Sequence, residues 1–539
     1  MSIRIDRRQL LHAAMYGLGA IALPGVAQVL QARGFTHGVA SGEPTADSVL
    51  LWTRFVADRD VRLSVEVARD VMFDRVVARG ECTAESDRDH TARTVIADLA
   101  PGRWYFYRFI APDGSVSTTG RTRTLPQDDV RRFGLGLFSW SNIGFGWFNA
   151  YAHACERADL DLVVHVGDYL YEYAIGTYPT LKELMPGRLI QPSHEILSLT
   201  DYRLRHACYR LDPDLQRLHQ FYPMIAQWDD HELANDAWTG GAENHQSATE
   251  GDWVTRKAVA ERVYNEWMPV SGKRWREYQI GSLATLFKVE TRITGRSELL
   301  ELNVALKGTK NLAQALVDFR DAPLSAATRT LLGAEQEQWL RAGLRRSTDA
   351  KTRWQVLAQQ VVMGEMVVPQ QAKNWLGDDA TETTRKELTV ALAAARAGLP
   401  FNFDSWDGFP AARRRLLEDA ANANANLVVL AGDSHNAWAN NLENGKTAVG
   451  VEFATHSVTS PGFESYLPRV SPDEMASALR AANRHLAYVD TSRRGYTSVM
   501  LTPQSATGNF HFLQTIRERS TALRETRSLS ANFGSRRFV

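Results

Sequence analysis

The chain has 539 residues, enough for more than one folded unit. Lysine plus arginine equals aspartate plus glutamate at 62 each, which excludes the basic excess of a nucleic-acid binder and a strongly acidic partner surface. Three cysteines, Cys82, Cys155 and Cys208, without C-x-x-C spacing, exclude a zinc-finger or disulfide framework; at most one bridge is possible, and burial as small apolar residues is expected.

Residues 1–32 read as an export signal. Arg7-Arg8 precede Leu10-Leu11 and an uncharged run to Leu30, with small residues beyond. The adjacent arginines suit the twin-arginine route, so the export machinery is an expected partner and the mature protein is expected to be periplasmic or secreted. Gly17, Gly19 and Pro24 interrupt the apolar run, and no later segment reaches the roughly 20 apolar residues of a membrane span.

Residues 35–127 read as a separate all-β unit. Short runs such as Ser48–Thr53, Val61–Val67 and Trp104–Phe109 alternate with turn signals such as Pro112-Asp-Gly114, as in a small sandwich of immunoglobulin or fibronectin type. From 131 to 515 strands alternate with helices, the pattern of an α/β core. Strands are expected at Phe133–Phe138, Leu162–Val166, Tyr222–Gln227, Leu283–Glu290, Trp354–Glu365, Leu427–Ala431 and Val449–Phe453. Helices are expected at Gly146–Arg157, Gly251–Trp267 and Ala411–Asn424, and one helix or a helix pair at Asp201–Gln220. Residues 516–539, rich in Arg and Ser, read as a loosely held tail.

Three buried strands end on acid, and their acids are expected at one edge of one sheet. The first runs into Gly167-Asp168, with Tyr171 three residues on; a phenolate and a carboxylate so placed suit a hard ion such as ferric iron. The second runs into Trp228-Asp229-Asp230-His231-Glu232. Charges this dense repel unless cations neutralise them, so Asp229 and Asp230 read as metal ligands, Asn235 as a neutral oxygen ligand and His231 as a contact to phosphate or leaving group. The third runs into Gly432-Asp433-Ser434-His435-Asn436, where Asp433 and His435 can face one ion. Taken singly, each acid could be a helix cap or a solvated turn. There is no G-x-x-x-x-G-K phosphate loop and no G-x-S-x-G elbow, so nucleotide-driven chemistry and a Ser434 nucleophile are disfavoured.

The chain resembles the PhoD-type alkaline phosphatases. The resemblance is carried by His37-Gly-Val-Ala-Ser-Gly-Glu-Pro with Leu51-Trp-Thr-Arg54, by Gly167-Asp-Tyr-Leu-Tyr-Glu172, by Trp228-Asp-Asp-His-Glu232, by Glu266-Trp-Met-Pro269, by Gly432-Asp-Ser-His-Asn-Ala-Trp438 and by Ser457-Val-Thr-Ser-Pro-Gly462. It implies a fibronectin-like domain on a four-layer α/β/β/α metallophosphatase core. It also implies hydrolysis of phosphate mono- or diesters by a metal-activated hydroxide, with ferric iron and calcium as cofactors. In that reading Asp168 bridges metals, Tyr171 binds iron, Asp230 and Asn235 lie at the second metal, and Asp433 and His435 complete the set. From the chemistry of the cluster itself, His231 is the candidate to protonate or hydrogen-bond the leaving oxygen, and Arg292 is a candidate phosphate clamp because a guanidinium matches phosphate bidentately. The family places a cysteine iron ligand where this chain has Trp140, and an aspartate where it has Glu290. The alternative is a weakly active or non-catalytic phosphate-ester-binding relative.

Overall fold

Runs of branched and aromatic residues, punctuated by Gly, Pro and Asp-Gly turns, form strands from the first segment onward. The computed structural model describes residues 32–539; the twin-arginine signal lies outside the described residues. The N-terminal strands are β1 (Gly34–Gly42), β2 (Val49–Val56), β3 (Val61–Ala68), β4 (Val76–Ala84), β5 (Thr91–Ile96), β6 (Trp104–Ile110) and β7 (Gly120–Arg123). Next come β8 (Phe133–Phe138), β9 (Leu162–His165), β10 (Pro223–Ala226), β11 (Arg276–Ile280), β12 (Ala284–Lys288), β13 (Trp354–Ala358) and β14 (Leu427–Ala431). The last are β15 (Ala437–Asn444), β16 (Thr447–Ala454), β17 (Leu486–Asp490), β18 (Gly495–Leu501), β19 (Ser505–Leu513) and β20 (Leu523–Asn532).

These strands form a nine-stranded sheet, β20-β19-β18-β8-β9-β10-β1-β2-β5, a seven-stranded sheet, β11-β12-β13-β14-β16-β15-β17, and a four-stranded sheet, β4-β3-β6-β7. The N-terminal strands are not an isolated unit. β1 pairs in parallel with β10, Ser41 opposite Pro223 and Gly42 opposite Met224, so β1, β2 and β5 continue the large core sheet. Val39, Leu51 and Ile96 on that side meet Leu63, Val65 and Tyr107 of the four-stranded sheet in one apolar cluster.

Alternation decides how the two large sheets are used. Leu135, Leu137, Leu162 and Val164 of β8 and β9 share a cluster with Val356, Ala358, Val428 and Leu430 of β13 and β14. Their neighbours point the other way. Phe138 and Val163 pack with residues of the helices Asn149–Cys155, Leu199–Arg210, Pro213–Phe221 and Trp253–Trp267. Leu357 and Val429 pack with those of Ala334–Asp349 and Pro410–Asn422. Strands apolar on both faces are the signature of sheets covered on both faces.

Over Asp201–Gln220 the chain takes the helix pair, broken at Asp212, which caps the second helix through Asp214 N and Leu215 N, with Pro213 at its first turn. Two local expectations change. The strand from Trp354 stops at Ala358, because Gln359 and Gln360 turn their amides to Val361 N and the Trp228 carbonyl. The end of the chain is not a loose tail: β20 pairs with β19 along its length, from Ser505 opposite Asn532 to Leu513 opposite Leu523. All three cysteines are free thiols. Among the described residues no helix is long and apolar enough to cross a membrane.

The core holds neutral imidazoles. Burial pushes His165, His206 and His456 down to about 3, and burial with Arg210 pushes His219 well down. Below the unfolded value near 6.5 the unfolded chain takes up protons that the fold refuses, so stability falls as pH drops from about 6.5 toward 3. Each such histidine costs about 1.4 kcal/mol per pH unit in that window. The urea midpoint is expected to drop steeply between pH 6.5 and 5; a flat midpoint would mean that these rings ionise in place.

Candidate metal centre

β8, β9 and β10 run parallel, as do β12, β13 and β14, so six strands deliver their carboxyl ends to one rim between the facing sheets. The acids therefore come from two sheets rather than from one edge of one sheet. β9 and β10 bring Asp168 and Asp229-Asp230 from the nine-stranded sheet, and β14 brings Asp433 from the seven-stranded one. The turns are tight. Trp140, Asp168, Asp433 and His435 have φ of 55°, 53°, 64° and 58°. Left-handed backbone at non-glycine residues costs on the order of 1 kcal/mol or more each and is retained where a site demands it. Gly167, at φ 106°, has no freedom to change: a Cβ there would collide with Asp229.

Glu232 ties together the two turns that follow β9 and β10. Its carboxylate accepts from Asp168 N at 3.1 Å, Tyr169 N at 2.6 Å and Asp229 N at 2.8 Å. The carboxyl of Asp168 is then held among other acids. Burial, then Asp230, Asp229, Glu232 and Asp433, raise it far above the usual carboxylate range. Burial also raises Asp433 strongly and brings Asp229 up to about 7. Asp230 runs the other way: burial is outweighed by Arg292 and His231, which hold it low. One oxygen each of Asp168 (Oδ1) and Asp229 (Oδ2) is buried without a hydrogen-bond donor. Oxygens left bare in this way fit a cation. Two overlapping groups could hold one: Asp168, Asp230 and His231, and Asp229, Asp230 and Asp433, each with ligand atoms within 4.8 Å of one another.

The two histidines are in opposite states. His435 Nδ1–H donates to the Pro461 carbonyl at 2.7 Å, which leaves Nε2 as the lone-pair nitrogen, and burial pushes the ring down to about 3; the ring lines the cleft but belongs to neither of the two ligand groups. A neutral ring oriented through its second nitrogen is prepared as a metal ligand. His231 Nδ1 donates to Glu172 Oε2 at 2.7 Å; burial lowers the ring, but Glu172 and Asp230 outweigh it and raise it to about 9. Without a cation it is an imidazolium, a proton donor at neutral pH.

Asp168, Asp230, His231, Asn235, Asp433 and His435 line one cleft of about 370 Å³. Tyr171 lies behind it, its hydroxyl 2.8 Å from Ser460 Oγ and 3.4 Å from Asp168 Oδ2. Asn235 is anchored through its backbone N–H to Glu172 and through Nδ2 to Glu243 Oε2 at 2.6 Å. Trp140 is buried in the cleft wall, edge-on to the His435 ring at 4.9 Å. Arg292 is wholly buried and surrounded by carboxylates: Nε donates to Asp229, Nη1 to Asp404 at 2.7 and 2.8 Å, and Nη2 to Asp433 at 2.9 Å. Its donors are committed to protein acids, so its position is that of an internal counter-ion. Glu290 accepts from Trp228 Nε1, Arg292 N, Ile293 N and Thr294 N; it caps the turn that carries Arg292. The longer side chain serves that turn.

The sequence alone did not single out Asp404, Asp236, Glu172 as the His231 partner, Glu232 as a clamp, or Tyr178 in the wall. Asp404 reaches Arg292 and Arg296 from an irregular loop with no strand before it. Glu172 and Glu232 stand inside motifs already recognised, and for Glu232 the adjacent His231 was the available signal.

Residues 135–510 match the family described as PhoD-like phosphatase, and residues 21–126 match the PhoD-like phosphatase N-terminal domain. The chain is 32% identical to alkaline phosphatase D of Bacillus subtilis over 519 residues, 91% of this chain and 79% of that protein. A solved structure described as "Structure of PhoD" superposes with a TM-score of 0.76 at 30% identity, covering 94% of this chain and 92% of that one.

Proposed function

Because the chain belongs to the PhoD-like phosphatase family and is a phosphoester hydrolase, we propose that it hydrolyses phosphate mono- or diesters by metal-assisted attack on phosphorus in the Asp168–Asp433 cleft. The observation that carries this reading is that Asp229, Asp230 and Asp433 gather as one ligand group with Asp168 beside Asp230, two of their carboxylate oxygens being left bare. Asp168, Asp229, Asp230, Asp433 and His435 would hold the cations, with Tyr171 and Asn235 completing their surroundings. When bound, the cations supply Lewis acidity that lowers the pKa of water and offsets the charge on the phosphoryl oxygens.

The protein's own groups have separate tasks. Glu232 fixes the Asp168 and Asp229 turns through three backbone N–H groups. His231, oriented by Glu172, would protonate or hydrogen-bond the departing ester oxygen. Arg292 keeps the acids paired and aimed. Ferric iron and calcium are the cations suggested by the resemblance. Trp140 stands where a thiolate would contribute to iron, so the iron ligands here would be oxygen and nitrogen alone. We place the cleft on a four-layer α/β/β/α core, and the Arg7-Arg8 signal supports export to the periplasm or medium by the twin-arginine route.

Elemental analysis of the exported protein is expected to find metal bound, and chelation is expected to remove both the metal and the turnover of p-nitrophenyl phosphate and its bis-ester. Full activity after complete removal of metal would refute the reading.

A further inference from the structure

The cleft has a second, chemically opposite compartment beside it. Val367, Val368, Trp375, Phe463, Leu467 and Met475 are among the walls of a pocket of about 320 Å³ whose lining is entirely apolar. Tyr466 borders both spaces. The chain also crosses between them in one step: Phe401 lines the apolar pocket and the next residue, Asn402, lines the acid cleft. This ridge is held in place. Phe401 N donates to the Met366 carbonyl at 2.8 Å, Phe401 packs edge-on against Phe463 at 5.6 Å, and Phe463 packs likewise on Trp438 at 6.0 Å. Yet Phe401 and Tyr466 stay 46% and 67% exposed at the boundary. Apolar side chains kept open at the mouth of a polar site mark a place for an apolar group of the ligand.

We propose that this pocket is a substrate subsite, and that it takes a long apolar alcohol of a phosphodiester whose phosphate lies in the acid cleft. The proposal rests on the hydrolase reading of the cleft. A phosphate bound among the cations must send its ester groups outward. The shared Tyr466 and the Phe401-Asn402 step give one of them a continuous path from a charged space to one with no polar lining. No charge lines the pocket and no polar surface faces it, the Trp375 indole N–H being buried, so its selectivity is for hydrocarbon rather than for a sugar or a nucleobase. A space of this size lies within the range of sites that bury most of a small ligand.

The test is a series of p-nitrophenyl alkyl phosphates from methyl to octyl, held below their micellar concentrations and assayed with the metal-loaded, full-length enzyme. kcat/KM is expected to climb by about two- to fourfold per methylene until the pocket is filled, the ceiling set by the burial of one CH₂. Leu467→Asp, and separately Phe401→Asp at the rim, are expected to flatten the octyl-to-methyl ratio measured within each variant. Hydrolysis of all members at one rate by the wild-type enzyme would overturn the subsite and leave the hydrolase reading standing. No hydrolysis of any ester would overturn both.

Discussion

Asp168→Asn is expected to lower kcat/KM for phosphate esters by at least about a thousandfold while making the metal-free protein more stable, not less. The loss follows from position. Asp168 lies in one of the two candidate ligand groups, its Oδ1 has no donor, and it faces Asp230 and His231 across the cleft. Lewis-acid stabilisation of a phosphoryl transition state amounts to several kcal/mol, and about 1.4 kcal/mol is a factor of ten. The gain follows from the same environment. Burial and four neighbouring acids raise the Asp168 carboxyl far above its usual range, so in the unfolded chain it ionises freely and in the fold it resists. An acid whose folded pKa is raised loses stability as pH climbs from its unfolded value toward its folded one. An amide in its place removes that loss, so the variant is expected to be the more stable of the two without metal. Thermal melts of chelator-treated protein at pH 8 should show the variant above wild type, and elemental analysis should show it short of metal. Retention of a tenth of wild-type turnover, or a lower melting point without metal, would end the assignment.

The acids of this site were legible because of how they are delivered. A valine-rich strand that stops on Gly167-Asp168 or Gly432-Asp433 writes both its burial and its functional end into a few adjacent residues. The same local rule placed Asp229, Asp230 and His231. It could not say that two sheets take part, because β9 and β14 look alike in sequence and their partners, β8 and β10 for one and β13 and β16 for the other, are set by pairing with strands tens of residues away. Asp404 had no such strand before it; the packing of its loop brings it to Arg292. Arg292 itself was read as a phosphate clamp from its chemistry alone, since nothing local reveals that four acids from three separate segments surround it. β20 was missed for a complementary reason. At a sheet edge its Arg, Glu, Thr and Ser side chains are mostly exposed, and an exposed polar edge strand has the composition of a loose tail. The join of β1 to β10 was invisible because an edge strand of a small sandwich and an inner strand of a larger sheet share one alternation.

Arg292→Met is expected to destabilise the metal-free protein by about 3–5 kcal/mol, with a deficit that grows as pH rises. Arg292 has no exposed surface, and its guanidinium meets Asp229, Asp404 and Asp433 directly, with Asp230 at 3.5 Å. A methionine of similar reach removes the cation and leaves the carboxylates buried together, the circumstance in which breaking a buried ion pair costs most. The pH dependence follows from sign. Arg292 counters the upward push on Asp229 and Asp433, and without it both carboxyls rise further above their unfolded values. Raised acids contribute a penalty that is absent below about pH 4 and mounts toward alkaline pH, so the variant should approach wild type in acid and fall away from it at pH 8. Divalent cations added at pH 8 should restore part of the loss by mass action, because they bind the folded acids and not the unfolded chain. A phosphate clamp predicts another pattern: Arg292→Lys and Arg292→Met would raise KM and leave metal-free stability untouched. Urea titrations of both variants at pH 5 and pH 8, with and without calcium, separate the two roles. Equal wild-type and Arg292→Met midpoints at pH 8 would show that the buried carboxylates do not depend on this guanidinium for their balance.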